Sequence, residues 1–94
     1  MKLTWLGHSA FRIESGSTVL LIDPFITGNG VFESSGMSAD DATAGATHIA
    51  LTHGHDDHVG DTVDIAKRTG AQVVGAYELV LYLNGKGVEN ISPA

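Results

Sequence analysis

The segment His53-Gly54-His55-Asp56-Asp57-His58 concentrates three imidazoles and two carboxylates one residue after the apolar run Ile49-Ala50-Leu51. Such a segment constrains the fold, because its side chains can act together only if the backbone brings them to one side. In an extended stretch His53 and His55 project to the same face, since side chains alternate with period two. Asp57 and His58 are neighbours in sequence, so the chain must turn there, and Gly54 and Gly60 leave the backbone free to do so. The expectation is a buried strand, a ligand-bearing loop and then a helix. With five histidines in 94 residues, an H-x-H-x-D-H pattern would arise by chance with a probability of about one in a thousand. The competing structural reading is a surface loop rich in His and Asp that picks up stray metal without catalysis.

Around this segment the chain reads as alternating short elements. Lys2 to Leu6, Ala10 to Glu14 and Thr18 to Asp23 read as an antiparallel meander punctuated by Gly7-His8-Ser9 and Ser15-Gly16-Ser17. Leu20-Leu21-Ile22 is nearly continuous in apolar character, which suits a strand covered on both faces. Asp23-Pro24 opens a long Gly- and Ser-rich connection to about Thr47. Within it Ser38-Ala39-Asp40-Asp41 has the start signal of one short helix. His48 to Thr52 then predicts a strand, Asp61 to Thr69 a helix ended by Gly70, Gln72 to Gly75 a strand, and Tyr77 to Asn84 a helix followed by Gly85. A strand-first half followed by βαβα units indicates an α/β protein. The sequence stops at Ile91-Ser92-Pro93-Ala94 with no closing helix or strand after it, so part of the sheet's partner surface is expected to be absent.

Composition narrows the chemistry. Hydrophobic residues make up 43% of the chain and charged residues 17%, enough apolar material for a packed core. The net charge is −6, with only five Lys and Arg residues. That leaves no basic stripe for nucleic acid or an anionic membrane surface. There is no cysteine, so a transition metal must be held by His, Asp or Glu. The N-terminus alternates polar and apolar residues and lacks a secretory leader's apolar run, which makes a cytoplasmic location the expectation. Imidazole and carboxylate together suit zinc first, with manganese or iron acceptable. In two-metal hydrolytic sites the ions lie about 3.5–4 Å apart, activate water and polarise a carbonyl or phosphoryl oxygen. A metal-bound hydroxide would be the nucleophile.

H-x-H-x-D-H after a strand resembles the signature of the metallo-β-lactamase superfamily. The resemblance extends to Leu6-Gly7-His8-Ser9-Ala10-Phe11, Leu21-Ile22-Asp23-Pro24-Phe25 and Thr52 to Asp61. Together these are similar to bacterial metal-dependent hydrolases related to ascorbate-6-phosphate lactonase. The resemblance implies that His53 and His55 bind a first divalent ion and Asp57 and His58 a second, with Asp57 the candidate catalytic carboxylate. It also implies further ligands from later segments: another His, a bridging Asp and a late His. Such enzymes are built as two similar halves in an αββα sandwich, and residues 1–94 correspond to the N-terminal half, a truncated domain whose site is incomplete and inactive alone. Thr47-His48 departs from the family tendency toward an acidic residue followed by an aromatic one.

Other residues carry weaker signals. His8, at a Gly turn, reads equally as a substrate-contacting or ligand-supporting group and as a turn histidine capping local backbone. Asp23 could orient a metal-ligating imidazole or form an Asx turn with Pro24. Asp56 and Asp61 read as structural, Asp61 as a helix cap. His48 reads as a packed or edge histidine, and Trp5, Phe11 and Phe25 as core. The expected function is a metal-dependent hydrolase of a small-molecule ester, lactone or phosphoester. Alternatives are a non-catalytic, self-associating module holding one ion through His53, His55 and His58, and a member of the superfamily's RNA-processing branch, which the acidic composition disfavours. A sheet face left bare by an absent half would favour a homo-oligomer.

Overall fold

The computed structural model describes residues 1–94 and contains one mixed six-stranded sheet in sequential order, β1 to β6. Strands β1 (Lys2–Gly7), β2 (Ala10–Ser15) and β3 (Thr18–Ile22) form the expected antiparallel meander. Gly16, at φ +59°, makes the turn between β2 and β3, a conformation that glycine adopts without a steric penalty. From β3 onward the pairing is parallel, through β4 (His48–Ala50), β5 (Gln72–Gly75) and β6 (Ile91–Pro93). The family-type α/β arrangement expected from the sequence is therefore present, with a strand at Ile91–Pro93 that the sequence pattern does not announce.

The connection from Asp23 to Thr47 contains two helices, α1 (Gly30–Ser34) and α2 (Ala39–Thr43). Ser38 Oγ accepts from the Asp41 N–H at 3.0 Å, capping α2 as its sequence suggests. The α1 helix starts at Asn29, whose Oδ1 accepts from the Phe32 N–H while its amide donates to the Gly7 and Phe25 carbonyls. Asn29 is buried, and it fastens the loop to the end of β1. After β4 come α3 (Asp56–Val59) and α4 (Thr62–Thr69), and α5 (Tyr77–Gly85) joins β5 to β6. Gly70, at φ +75°, ends α4 in the left-handed conformation.

Leu21, Ile49 and Val73 are paired neighbours on one sheet face. They are fully buried with Ile65 and Ala66 of α4 and Val80 and Leu83 of α5. A smaller cluster of Leu6, Ala10, Ile26, Phe32 and Ala42 packs the loop helices against β1 and β2. Register puts Leu3, Trp5, Phe11, Ile13, Leu20, Ile22, Ala50 and Val74 on the opposite face, and no helix covers them. Leu3 is 62% and Trp5 58% exposed, so Trp5 is not a core residue. The two-faced apolar character of Leu20-Leu21-Ile22 thus has its covering layer on one side only. Thr47, at the family departure, bonds through its hydroxyl to the Val19 backbone and ties β3 to the start of β4.

Candidate metal centre

Strands β1, β3 and β4 run in the same direction, so Gly7-His8, Asp23 and the His53 to His58 segment all emerge at one edge of the sheet. Carboxyl ends of parallel strands are the usual place for ligands in open α/β sheets. His53 and His55 lie in the loop after β4, with ring centroids 4.6 Å apart. The turn required by adjacent Asp57 and His58 is the single-turn helix α3, which begins immediately after His55. It brings the His58 ring to 3.9 Å from that of His53. Gly60 closes α3 at φ +47°, and a Cβ there would lie 2.5 Å from Phe25 Cα and 2.7 Å from the Pro24 carbonyl oxygen. Only glycine allows the loop after β3 to pass this close beneath the ligand segment.

Asp23 is almost fully buried and sits at φ +44°, a conformation Asp tolerates better than most residues. Its Oδ1 accepts from the Thr52 N–H at 2.8 Å. Its Oδ2 accepts from the Thr52 hydroxyl at 2.6 Å and lies 2.9 Å from His58 Nδ1. With Nδ1 occupied by this carboxylate, His58 Nε2 is left facing Asp57 Oδ1 at 3.6 Å. No buried side-chain nitrogen or oxygen lacks a partner, so the donors free to take a ligand are those at the surface.

His8, at φ +56°, is set by the Trp5 indole N–H, which donates to its carbonyl at 2.9 Å. Its ring stands edge-on to Phe25 and His58, at 5.6 Å from each, and its Nε2 lies 3.4 Å from Asp57 Oδ2. One donor atom from each of His8, Asp57 and His58 lies within 4.8 Å of the others. Zinc bonds of about 2.0–2.2 Å place two donors on one ion no more than about 4.4 Å apart. The His8–Asp57 separation, 3.4 Å to Oδ2, and the Asp57–His58 separation, 3.6 Å to Oδ1, fall inside that limit, so each of these two pairs is spaced for a divalent cation. Neither His53 nor His55 is part of this tighter group: His53 packs its ring against those of His55 and His58.

Asp61 differs from its sequence expectation. Its side chain makes no capping bond to α4; Oδ2 instead accepts from the Ile26 and Thr27 N–H groups at 3.1 and 2.8 Å, anchoring the loop after β3. His48 stays on its strand, with Nδ1 2.9 Å from Thr47 Oγ1. Thr52 and Asn29 are the site-shaping residues that sequence reasoning misses. A Thr next to the motif and an Asn beside Gly30 carry no distinctive signal alone. None of the concavities on the molecule is lined by His53, His55, Asp57 or His58, and the cluster lies on an open surface.

Residues 3–94 match the family model of the metallo-beta-lactamase superfamily. A metal-dependent hydrolase of Methylocella silvestris is 62% identical over 93 residues, covering 99% of this chain and 39% of the relative. One from Agrobacterium fabrum is 57% identical, covering 97% of this chain and 38% of the relative. The chain thus spans about two fifths of the length of these relatives. Among solved structures, Igni18, a metallo hydrolase from Ignicoccus hospitalis, aligns with a TM-score of 0.80 at 33% identity, covering 98% of this chain and 38% of that one. An isothiocyanate hydrolase from Delia radicum gut bacteria shares the fold, with a TM-score of 0.70 at 20% identity over all of this chain and 41% of that one. The family match along nearly its whole length places this chain in the metallo-beta-lactamase superfamily.

Proposed function

We propose that residues 1–94 form the metal-binding N-terminal part of a metallo-β-lactamase domain in a cytoplasmic hydrolase. Its substrate would be a small ester, lactone or phosphoester. The observation that carries this reading is the convergence of His53, Asp57 and His58 beside the carboxyl ends of β3 and β4, with His58 held by buried Asp23. His53 and His55 would hold one divalent ion, and Asp57 and His58 a second, zinc before manganese or iron. When bound, such ions supply the Lewis acidity that activates water and polarises a carbonyl or phosphoryl oxygen.

The chain's own residues contribute position and charge. Asp57 brings a carboxylate between His8 and His58, the negative charge that favours a divalent cation there. His8, exposed beside Asp57, would contact a substrate oxygen. Asp23 fixes the ring orientation of His58. The names of the relatives support hydrolysis, and the open surface at the cluster supports a site completed by further chain. Metal content after loading with zinc and dialysis tests the ligand set. The wild-type chain should retain zinc, and His55→Ala and Asp57→Ala should each lose at least tenfold in affinity. Unchanged zinc content in both variants would rule the assignment out.

A further inference from the structure

Thr52 stands between the buried carboxylate and the first histidine of the segment, and its hydroxyl has two neighbours. Thr52 Oγ1 is 2.6 Å from Asp23 Oδ2 and 2.9 Å from His53 Nδ1. A hydroxyl carries one proton, and a carboxylate can only accept. The proton therefore goes to Asp23, and the oxygen can only accept from His53. From this geometry we infer that Thr52 is a positioning residue that fixes the tautomer of His53. Nδ1 is its protonated nitrogen, and the Nε2 lone pair is directed outward for a cation. His58 Nδ1 donates to the same Asp23 oxygen, so one buried carboxylate sets both imidazoles, His58 directly and His53 through Thr52. Both rings then present the same nitrogen outward, each to its own ion of the proposed pair, without first changing tautomer.

The inference rests on the metal-binding reading above, but it can be tested without metal. Nitrogen-15 NMR of the histidine rings in the zinc-free chain, at alkaline pH, distinguishes protonated from unprotonated ring nitrogens. In the wild type and in Thr52→Ser, His53 should be protonated at Nδ1. In Thr52→Val it should move toward the Nε2–H form that free imidazole side chains favour, while His58 stays protonated at Nδ1. Thr52 is exposed, and its backbone bond to Asp23 does not depend on the side chain, so the valine variant should fold. Thr52→Ser, which keeps the hydroxyl, separates the relay from packing. Zinc affinity should fall about 10- to 100-fold in Thr52→Val, the usual effect of losing a group that orients a ligand, and return in Thr52→Ser. An Nδ1-protonated His53 in Thr52→Val, or loss of that tautomer in Thr52→Ser, would overturn the inference. If both tautomer results hold but the wild-type chain takes no zinc, the relay stands and the metal-binding reading fails.

Discussion

At the residue scale the site depends most on Asp23, which serves three donors from a nearly inaccessible position. Asp23→Ala strands the Thr52 amide and hydroxyl and the His58 ring nitrogen. Since Thr52 can turn partly to water, the expected stability loss is about 2–3 kcal/mol, readable as a lower urea midpoint. A midpoint equal to wild type would show that the carboxylate is not holding the two strand ends together. His53, His55, Asp57 and His58 stand out in the sequence as candidates because three imidazoles and a carboxylate at that spacing seldom gather in so short a segment, and the fold brings His53, Asp57 and His58 together at one sheet edge. Asp23 is legible because a carboxylate at the end of an apolar strand needs partners. Thr52, Asn29 and the actual partners of Asp61 are not, because short polar side chains serve equally as turn formers, caps and long-range ties. Only the folded chain brings Ile26 and Thr27 to Asp61.

At the element scale, apolar triplets and glycine stops specify β3, β4, β5, α4 and α5 within a residue or two. The elements that escape sequence reading, α1, α3 and β6, are five, four and three residues long. The α3 helix is one turn, stabilised by its place between β4 and α4 rather than by propensity. The three-residue β6 exists because Ile91 pairs with Val73 in an already formed sheet. The turn at Gly60 is the element-level device that aims Asp57 and His58. Gly60→Ala imposes both an unfavourable φ and a Cβ against Phe25 backbone, so a loss of about 2 kcal/mol or more is expected, together with weaker zinc binding. Thermal unfolding checks the first and dialysis the second. A variant matching wild type in both would mean that this close approach is not needed. A milder change, Ser38→Ala, should cost about 1 kcal/mol through loss of the α2 cap, with zinc binding unaffected because α2 does not touch the cluster.

At the scale of the whole molecule, helices cover one face of the sheet and leave the other bare, with Leu3 and Trp5 more than half exposed. Exposed apolar side chains with half-buried apolar neighbours on one sheet face are a candidate interaction surface. For the isolated 94-residue chain the expected occupant is a second copy, so light scattering should give a mass that rises with concentration, and Leu3→Glu with Trp5→Glu should return it to monomer. A concentration-independent monomer in the wild type would contradict this. The net charge is −6, and no helix is long and apolar enough to cross a membrane. The central claim, that the segment after β4 is a metal centre, is tested most directly by titrating zinc into the chain while following each histidine ring by NMR. His53, His55 and His58 should respond together and saturate at a small whole number of equivalents, while His48, held on its strand by Thr47, stays unchanged. No response, or a response in His48 equal to that of the other three, would contradict it.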